Sequence, residues 1–559
     1  VKAGERGLPW HLAASASLGA LSAVLFWSAF PNQFFPEGLG WTAFIALAPL
    51  ALALSQPTSS SLQARLGPVA AGIAFGALSH ALLYPWVAAY HPWAPALLIV
   101  LKALGYGVIA AGMALLLRRF PAWGWLGAAC LWTGTEYAQA NGFLAFPYAV
   151  LGYSQYAWAP LLRSAALWGV HGVSFILACV SMSTGTIMAA PRETILRPSR
   201  CMPALAGTGC IGLILIGLGV AYSPAKTHIL DKDGRLSILL LQADTEPRSQ
   251  GARPAREYVD LLKGMVEADA DGLRDADLVV TPETVYPYPL ELGLASDPDS
   301  AEGSAARALM DMITSTGKPW LLGNASMGFA EGRGGRLEPL VRNSVLYIEG
   351  GRIWASYDKR RLVPFSEDFP FRAAFPRLRS GLASRFGFLW TPGESMSLFS
   401  VKGSRIGTPI CYEDCFGADC ADFARAGADL LLSVASDAWS RSRAAMSQHL
   451  ACAAFRAVET GLPLLRATND GLSCLISPEG RVLSLLEPFL RASALYSIPA
   501  PSRGFRPYMV LGDMAALASA AAAVLLLSVA LAPPLRRSLT RNGMWWRIRR
   551  HRGRSHTTT

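Results

Sequence analysis

The sequence predicts a multi-pass α-helical membrane domain of about eight spans, with an extramembrane layered α/β domain inserted before the last span. Three observations predict it. The 559 residues are 52% hydrophobic with a mean hydropathy of +0.31, high for a chain surrounded by water. Apolar runs close to the roughly 20 residues that cross a bilayer recur up to Tyr222 and return once near the end. Between them, from Leu236 onward, short β-rich runs alternate with helical periodicity and hairpin turns.

The membrane elements come first. Lys2 and Arg6 precede the run Leu12–Phe30. A signal peptide shares this outline, but the length of the run and the spans that follow at once predict a retained first span. The next runs are Trp41–Leu54, which is short and extends back into Phe34–Gly40, then Pro68–Tyr90, Trp93–Leu117, Ala122–Ala140, Leu162–Ala190, Ala204–Tyr222 and finally Met509–Leu531. Basic residues sit in alternate gaps: Lys2 and Arg6, then Arg65, then Arg118 and Arg119, then Arg192, Arg197 and Arg200, and last a tail holding Arg536, Arg537, Arg541, Arg547, Arg549, Arg550, Arg552 and Arg554. Arg163 is the exception. Cationic loops stay in the cytoplasm, so both termini are expected there and Ser223–Tyr508 on the outer side, the periplasm of a Gram-negative-type cell. The expected division is residues 1–222 for the membrane domain with about seven spans, 223–508 for the outer domain, 509–532 for the last span and 533–559 for a basic cytoplasmic tail. Lys102 and Glu136 fall inside apolar runs, where an ionisable group is costly. The structural expectation is that they pair with each other or snorkel; the alternative is a transport path, which nothing else in the chain marks.

A net charge of +11 raises the question of nucleic acid, but the placement of the basic residues, in the tail and in the gaps between spans, fits membrane orientation instead. The nine cysteines form no C-x-x-C pair, and Cys411, Cys415 and Cys420 cluster without histidines, so no metal site is expected. With no phosphate loop or nucleotide fingerprint, no cofactor is expected either.

In the outer domain, Leu236–Gln242 reads as a buried strand, Glu257–Ala270 as a helix, and Asp277–Glu283 as a strand ending at a carboxylate. Ser304–Thr316 is helical and Pro319–Gly323 a strand. Asn343–Ile348 and Arg352–Tyr357 form a hairpin around Glu349-Gly-Gly351. Gly403–Cys411 is a strand, Asp419–Ala426 a helix, Asp429–Ser436 a strand, Gln448–Thr460 a helix and Pro463–Thr468 a strand, with a last hairpin turning at Ser477-Pro-Glu-Gly480. The pattern fits an α/β or α-β-β-α layered domain.

Three of these elements end at chemistry-bearing residues: Glu283 in Thr281-Pro-Glu, Lys359 in Tyr357-Asp-Lys-Arg-Arg-Leu-Val-Pro-Phe, and Cys411 in Pro409-Ile-Cys-Tyr-Glu. Taken singly, Cys411 is a small buried hydrophobe, Glu283 a surface charge at a strand end and Lys359 part of a solvated basic run. Taken together they supply a nucleophile, a base and an oxyanion partner for acyl transfer.

These segments resemble the Glu–Lys–Cys triad of the nitrilase (carbon–nitrogen hydrolase) superfamily. The Lys-x₇-Glu spacing from Lys359 to Glu367 around Leu-Val-Pro-Phe is the most specific part. With the membrane runs, and with Phe146–Gln155, Ser436-Asp-Ala-Trp439, Gln448-His449 and Leu464–Gly471, the whole chain is similar to the membrane-bound branch of that superfamily, the apolipoprotein N-acyltransferases. The resemblance implies an α-β-β-α nitrilase-like sandwich and a bacterial inner membrane location. It implies a phospholipid acyl donor and a diacylated apolipoprotein acceptor, with Cys411 as nucleophile, Glu283 as general base and Lys359 on the oxyanion. Glu367 and Glu413 would orient Lys359 or Glu283, and Tyr412 would shape the pocket. A monomer is expected. Three segments depart from the family pattern: Ser436 and Ser440 within Ser-Asp-Ala-Trp-Ser, Tyr148 after Phe-Pro, and Arg342 before Asn343. They are expected to lie away from the triad and to bear on substrate fit. The connection Phe365–Trp390, rich in aromatics and arginines, suits a lid at the headgroup level, with ordinary packing as the alternative. Two rivals remain at this point, a membrane-tethered amidase and a non-enzymatic transporter or scaffold with a degenerate outer domain.

Overall fold

A computed structural model describes residues 8–56, 62–142, 144–190, 236–245, 253–331, 337–369, 371, 374–375, 377, 381, 390–437, 439–498 and 505–532. The N-terminal part holds α1 (Leu8–Ala29), α2 (Ala48–Ser55), α3 (Leu62–Leu83), α4 (Ala94–Arg119), α5 (Gly124–Asn141) and α6 (Ala159–Met188). Among the described residues, five helical stretches are long and apolar enough to cross a bilayer: His11–Ala29, Leu66–Leu83, Ala94–Arg119, Ala159–Met188 and Met514–Leu531. The expected second span is instead a 3₁₀ turn, Gly40–Phe44, followed by the eight residues of α2. At about 1.5 Å per residue, α2 covers under half of the hydrocarbon thickness. The fifth expected span is α5, of 18 residues, whose polar Glu136 and Gln139 lower its hydropathy. The expected seventh span, Ala204–Tyr222, and the basic tail lie outside the described residues.

Lys102 and Glu136 do not pair with each other. Lys102 Nζ donates to Gln139 Oε1 at 2.6 Å. Glu136 accepts from the Leu151 backbone N–H at 2.9 Å and from the Ser174 hydroxyl. Both ionisable groups thus have polar partners, as a medium without water favours. The last helix returns to this bundle through small residues. A Cβ on Gly134 would lie 2.8 Å from Ala520 Cα, so a glycine is what lets α5 approach the last helix this closely.

The outer part is two six-stranded sheets. Its strands are β1 (Ser237–Gln242), β2 (Leu278–Val280), β3 (Trp320–Glu331), β4 (Leu337–Glu349), β5 (Arg352–Asp358), β6 (Leu398–Val401), β7 (Ser404–Gly407), β8 (Leu430–Ala435), β9 (Leu464–Thr468), β10 (Cys474–Ile476), β11 (Val482–Leu485) and β12 (Ala492–Ser497). One sheet runs β12-β1-β2-β3-β4-β5 and the other β11-β10-β9-β8-β7-β6. Its helices are α7 (Ala255–Ala268), α8 (Ala270–Asp275), α9 (Leu290–Ala295), α10 (Ala301–Ser315), α11 (Gly417–Arg425) and α12 (Arg443–Thr460), and α13 (Pro507–Leu511) and α14 (Met514–Leu531) follow.

The continuous apolar run of β1 follows from burial on both faces. Ile238 and Leu240 point into the sandwich with Leu321, Ile406 and Leu430. Leu239 and Leu241 point the other way, onto Leu262 of α7 and Leu309 of α10. Each such side chain contributes about 1.5–3 kcal/mol by leaving water. The order of layers is therefore α-β-β-α, the nitrilase-superfamily fold expected for this part of the chain. The strand expected over Gly403–Cys411 stops at Gly407, because Thr408, Pro409 and Ile410 leave the ladder to form the approach to Cys411. Strands β6 and β12 and helix α9 were not anticipated from the sequence pattern.

Helix α12 explains how the two parts meet. Ser442 caps its start, accepting from Ala445 N at 3.4 Å, and Gly461, at φ +73°, ends it in the left-handed region. One face of α12 packs Leu450, Ala453 and Ala457 against the second sheet. Another packs Ala451, Cys452, Phe455 and Val458 into the core of the membrane helices. A helix enclosed on both sides needs no polar stripe, and residues 448–460 of α12 are all buried.

Candidate active site

Glu283, Lys359 and Cys411 each stand just past the carboxyl end of a strand, β2, β5 and β7 respectively. Such ends free polar groups from the ladder and are where α/β sheets gather chemistry. Cys411 opens a 3₁₀ turn, Cys411–Cys415, after Ile410 bridges Val434 of β8. Its φ is +51°, a left-handed conformation that costs a non-glycine residue about 1–2 kcal/mol. A strand-to-helix corner of this type projects the side chain at its apex clear of the backbone.

Glu413 supports that corner. Its Oε1 accepts from Arg360 N at 2.7 Å and Arg361 N at 3.1 Å, and its Oε2 accepts from Ile410 N at 2.8 Å. The Tyr357 hydroxyl adds a bond at 2.9 Å. Glu413 therefore does not touch Lys359; it ties the backbone following Lys359 to the backbone preceding Cys411, joining the two sheets at the site. Glu413→Ala leaves these donors without an acceptor, at about 1–3 kcal/mol for each buried one. The variant is expected to lose at least ~3 kcal/mol of stability, read as a lower midpoint in detergent-solubilised denaturation; an unchanged midpoint would remove Glu413 from this role.

Glu283 is 6% exposed and fully engaged. Its Oε1 accepts from Asn343 Nδ2 at 2.7 Å and from Lys359 Nζ at 3.1 Å, and its Oε2 accepts from the Ser436 backbone N–H at 2.8 Å. Lys359, 1% exposed, also donates to Glu367 Oε1 at 2.7 Å. Burial alone would lower the Lys359 pKa, but Glu283 and Glu367 together hold it well above the ordinary lysine range. It is an ammonium at every physiological pH. Glu367 is pushed up by burial against the pull of Lys359, and its other oxygen accepts from Val363 N at 2.8 Å. Burial, with Glu283 adding to it, pushes the Cys411 thiol well above its usual value despite Lys359 nearby. Cys411 therefore rests as a thiol, and any attack by it would need a base.

Two expectations require correction. Ser436 and the Arg342-Asn343 segment were expected away from the triad, yet the Ser436 N–H and the Asn343 amide both hold Glu283. The backbone donates at 436, so any side chain there preserves that bond. Tyr148 also approaches the site. Its ring lies 6.5 Å from that of Tyr412 and 6.3 Å from that of His449. Tyr412 itself turns toward the membrane part, where its hydroxyl donates to Ala145 O at 2.5 Å.

Of the connection Phe365–Trp390, the rings of Phe365, Phe369, Phe371 and Phe375 form a chain of contacts at 5.8–6.4 Å, with Phe365 and Phe375 exposed. Trp390 N closes the connection onto Glu367 O at 3.0 Å, so its neck is the Lys359 partner. Phe386, Phe388, Leu389, Arg372, Arg379 and Arg385 lie outside the described residues.

Sequence reasoning gave no role to Asp414, Asp437, His449 and Arg466, which lie behind the turn. Asp414 is held at about 2: burial would raise it, but His449 and Arg466 draw it down.

The carbon–nitrogen hydrolase family model matches residues 248–492, and the model for the apolipoprotein N-acyltransferase N-terminal domain matches residues 22–183. The chain is 28% identical to apolipoprotein N-acyltransferase 1 of Treponema denticola over 89% of this chain and 92% of that protein. It is 28% identical to apolipoprotein N-acyltransferase 1 of Treponema pallidum over 89% and 92% of the two chains. To the apolipoprotein N-acyltransferase of Geobacter metallireducens it is 27% identical over 92% and 94%.

Proposed function

This chain belongs to the apolipoprotein N-acyltransferase family, and we propose that it moves an acyl chain from a membrane phospholipid, through a thioester on Cys411, to the N-terminal amine of a diacylglyceryl-cysteine on an apolipoprotein. The enzyme is an N-acyltransferase embedded in a membrane. In the finer reading that membrane is the bacterial inner membrane, with residues 223–508 as the periplasmic catalytic domain, residues 1–222 and 509–532 as its spans, both termini in the cytoplasm, and a monomer as the working unit.

The steps follow from the site. Glu283 accepts the Cys411 proton as sulfur attacks the ester carbonyl carbon. Lys359 and backbone N–H groups at the turn stabilise the oxyanion. Collapse breaks the ester C–O bond, and Glu283 returns its proton to the departing lysophospholipid oxygen. In the second half the acceptor amine attacks the thioester, Glu283 takes the amine proton, and sulfur leaves as the amide forms. The released thiolate regains the proton from Glu283. A thioester stores the energy of the ester, so the exchange needs no nucleotide.

One observation carries the reading over that of a tethered amidase: the nucleophile turn is itself docked on the membrane part. Tyr412 bonds Ala145 O at 2.5 Å, Tyr153 donates to Cys415 O at 3.2 Å, and Trp439 stacks on Tyr90 at 4.3 Å between ring centres. Drawing an acyl chain into water costs about 0.8 kcal/mol per CH₂. A nucleophile fixed against spanning helices avoids that cost.

Purified protein given phospholipid and a diacylated lipopeptide is expected to raise the mass of the peptide by one acyl group, with lysophospholipid released in equal amount. Free fatty acid or ammonia with no gain in peptide mass would overturn the transferase reading in favour of the amidase.

A further inference from the structure

His449, on α12, is buried directly behind Cys411, and each of its two ring nitrogens faces a carboxylate oxygen, with the Cys415 thiol also beside the ring. Nδ1 lies 2.9 Å from Asp437 Oδ1. Nε2 lies 2.8 Å from Asp414 Oδ1 and 3.3 Å from the backbone carbonyl oxygen of Cys411. A neutral imidazole has one N–H and one bare nitrogen, so it would set a lone pair against a carboxylate on one side. Only the doubly protonated ring satisfies both sides. Charge balance agrees. Arg466 donates to Asp414 Oδ2 at 2.6 Å and faces Asp437 Oδ2 at 3.5 Å, so two carboxylates enclose one guanidinium and one imidazolium. A neutral quartet is the arrangement that burial tolerates. Burial alone would lower the His449 pKa, but the two carboxylates hold it well above the usual histidine value. Asp414, Cys415 and His449 also bring donor atoms within 4.8 Å of one another, a spacing a metal ion would accept. Asp414 and the ring are already committed to each other and to Arg466 and Asp437, and burial keeps the Cys415 thiol protonated, so the set reads as an ion-pair cluster.

The bond to the Cys411 carbonyl gives this cluster a function. The Cys411–Tyr412 peptide is trans, so its C=O and N–H point in opposite directions. With the oxygen fixed toward His449, the Tyr412 N–H faces away from the cluster. The N–H following a nucleophile at such a corner is placed to donate to an oxyanion. A cation on the carbonyl also polarises the peptide and strengthens its N–H as a donor.

We propose that His449 is a positioning residue for the transfer, holding the Cys411–Tyr412 peptide so that the Tyr412 N–H donates to the tetrahedral oxyanion. The inference rests on Cys411 accepting acyl groups. The test compares two reactions of Cys411 in the full-length detergent-solubilised protein. Acylation by a p-nitrophenyl ester builds an oxyanion; alkylation by iodoacetamide does not. His449→Gln is expected to slow the p-nitrophenol burst at least ~30-fold, toward the 10²–10³ that loss of one oxyanion donor costs. Alkylation, followed on the peptide that carries Cys411, is expected to stay within about threefold of wild type, because it bypasses the oxyanion. Equal acylation rates in wild type and variant, or a parallel fall in both reactions, would overturn the positioning role. If the single variant does not fold, His449→Gln combined with Asp437→Asn removes the ring charge together with one facing carboxylate, and the same split is expected. Wild-type protein that acylates Cys411 from neither phospholipid nor the p-nitrophenyl ester would sink the functional reading and this inference together. Wild-type acylation from both, matched by the variant, would sink the inference alone.

Discussion

Cys411→Ala is expected to lower transfer by at least ~10⁴-fold and to abolish any acyl adduct on the protein, with little change in stability. The two effects separate because Cys411 does little for packing. Its side chain contributes one sulfur at the edge of the sandwich core, and alanine at φ +51° carries the same backbone strain as cysteine. The turn is held by Glu413 through Ile410 N, Arg360 N and Arg361 N, none of which involves the thiol. Cys411→Ser is expected to fail as well. A hydroxyl gives up its proton far less readily than a thiol, and Glu283, fixed by Asn343 and Lys359, is no stronger a base for it. The measurement is intact-protein mass after incubation with phospholipid, followed by hydroxylamine, which cleaves thioesters. Wild type is expected to gain one acyl mass that hydroxylamine removes; neither variant is expected to gain it. Full transfer by Cys411→Ala would revive the transporter or scaffold reading, which gives the outer domain no chemistry.

The strand-end placement of the proposed triad, Glu283, Lys359 and Cys411, was legible in the sequence because each sits where a short apolar run stops, and strand ends are marked by that contrast in polarity. Glu367 was legible too, since its spacing from Lys359 is fixed by the local chain. What escaped was contact across the fold. Asn343 is 60 residues from Glu283 and Ser436 is 153 residues away, yet both hold it, and no periodicity links them. His449 lies in a helix whose burial on two sides erases the polar stripe that would have flagged a functional face. Its partners Asp414 and Asp437 belong to the nucleophile turn and to the segment after β8, brought together only when the second sheet forms. The membrane part followed a similar rule. Long helices such as α4 were plain from composition, whereas Gly40–Phe44 with α2, apolar but broken, was indistinguishable from a short span until its packing was known.

Lys359→Met is expected to remove the cation from between two buried carboxylates and to reverse the usual response of stability to acid. In the wild type the ammonium is 3.1 Å from Glu283 and 2.7 Å from Glu367, and all three groups are buried or nearly so. Breaking such a pair by removing one partner costs about 3–5 kcal/mol, because the charges left behind are neither solvated nor matched. Glu367 is already pushed up by burial even with Lys359 beside it. Without the lysine its folded-state pKa rises further above the unfolded value near ~4.3. Between those two values the folded protein binds more protons than the unfolded one, so stability falls as pH rises, by up to about 1.4 kcal/mol per pH unit for each proton. Mild acid therefore restores part of the stability lost by the variant, and does so to a greater extent than in wild type, where the pull of Lys359 limits how far Glu367 is pushed up. Activity is expected to behave differently. The protonated carboxyl that relieves the fold cannot replace an ammonium on the oxyanion, so transfer stays down by about 10²–10³ at every pH at which the protein is folded. Denaturation midpoints of Lys359→Met across mild acid and neutral pH, with transfer assayed on the same samples, test both halves. Stability that rises with pH in the variant would show that the two carboxylates do not share the lysine charge, and activity recovered in acid would show that the cation serves the fold and not the oxyanion.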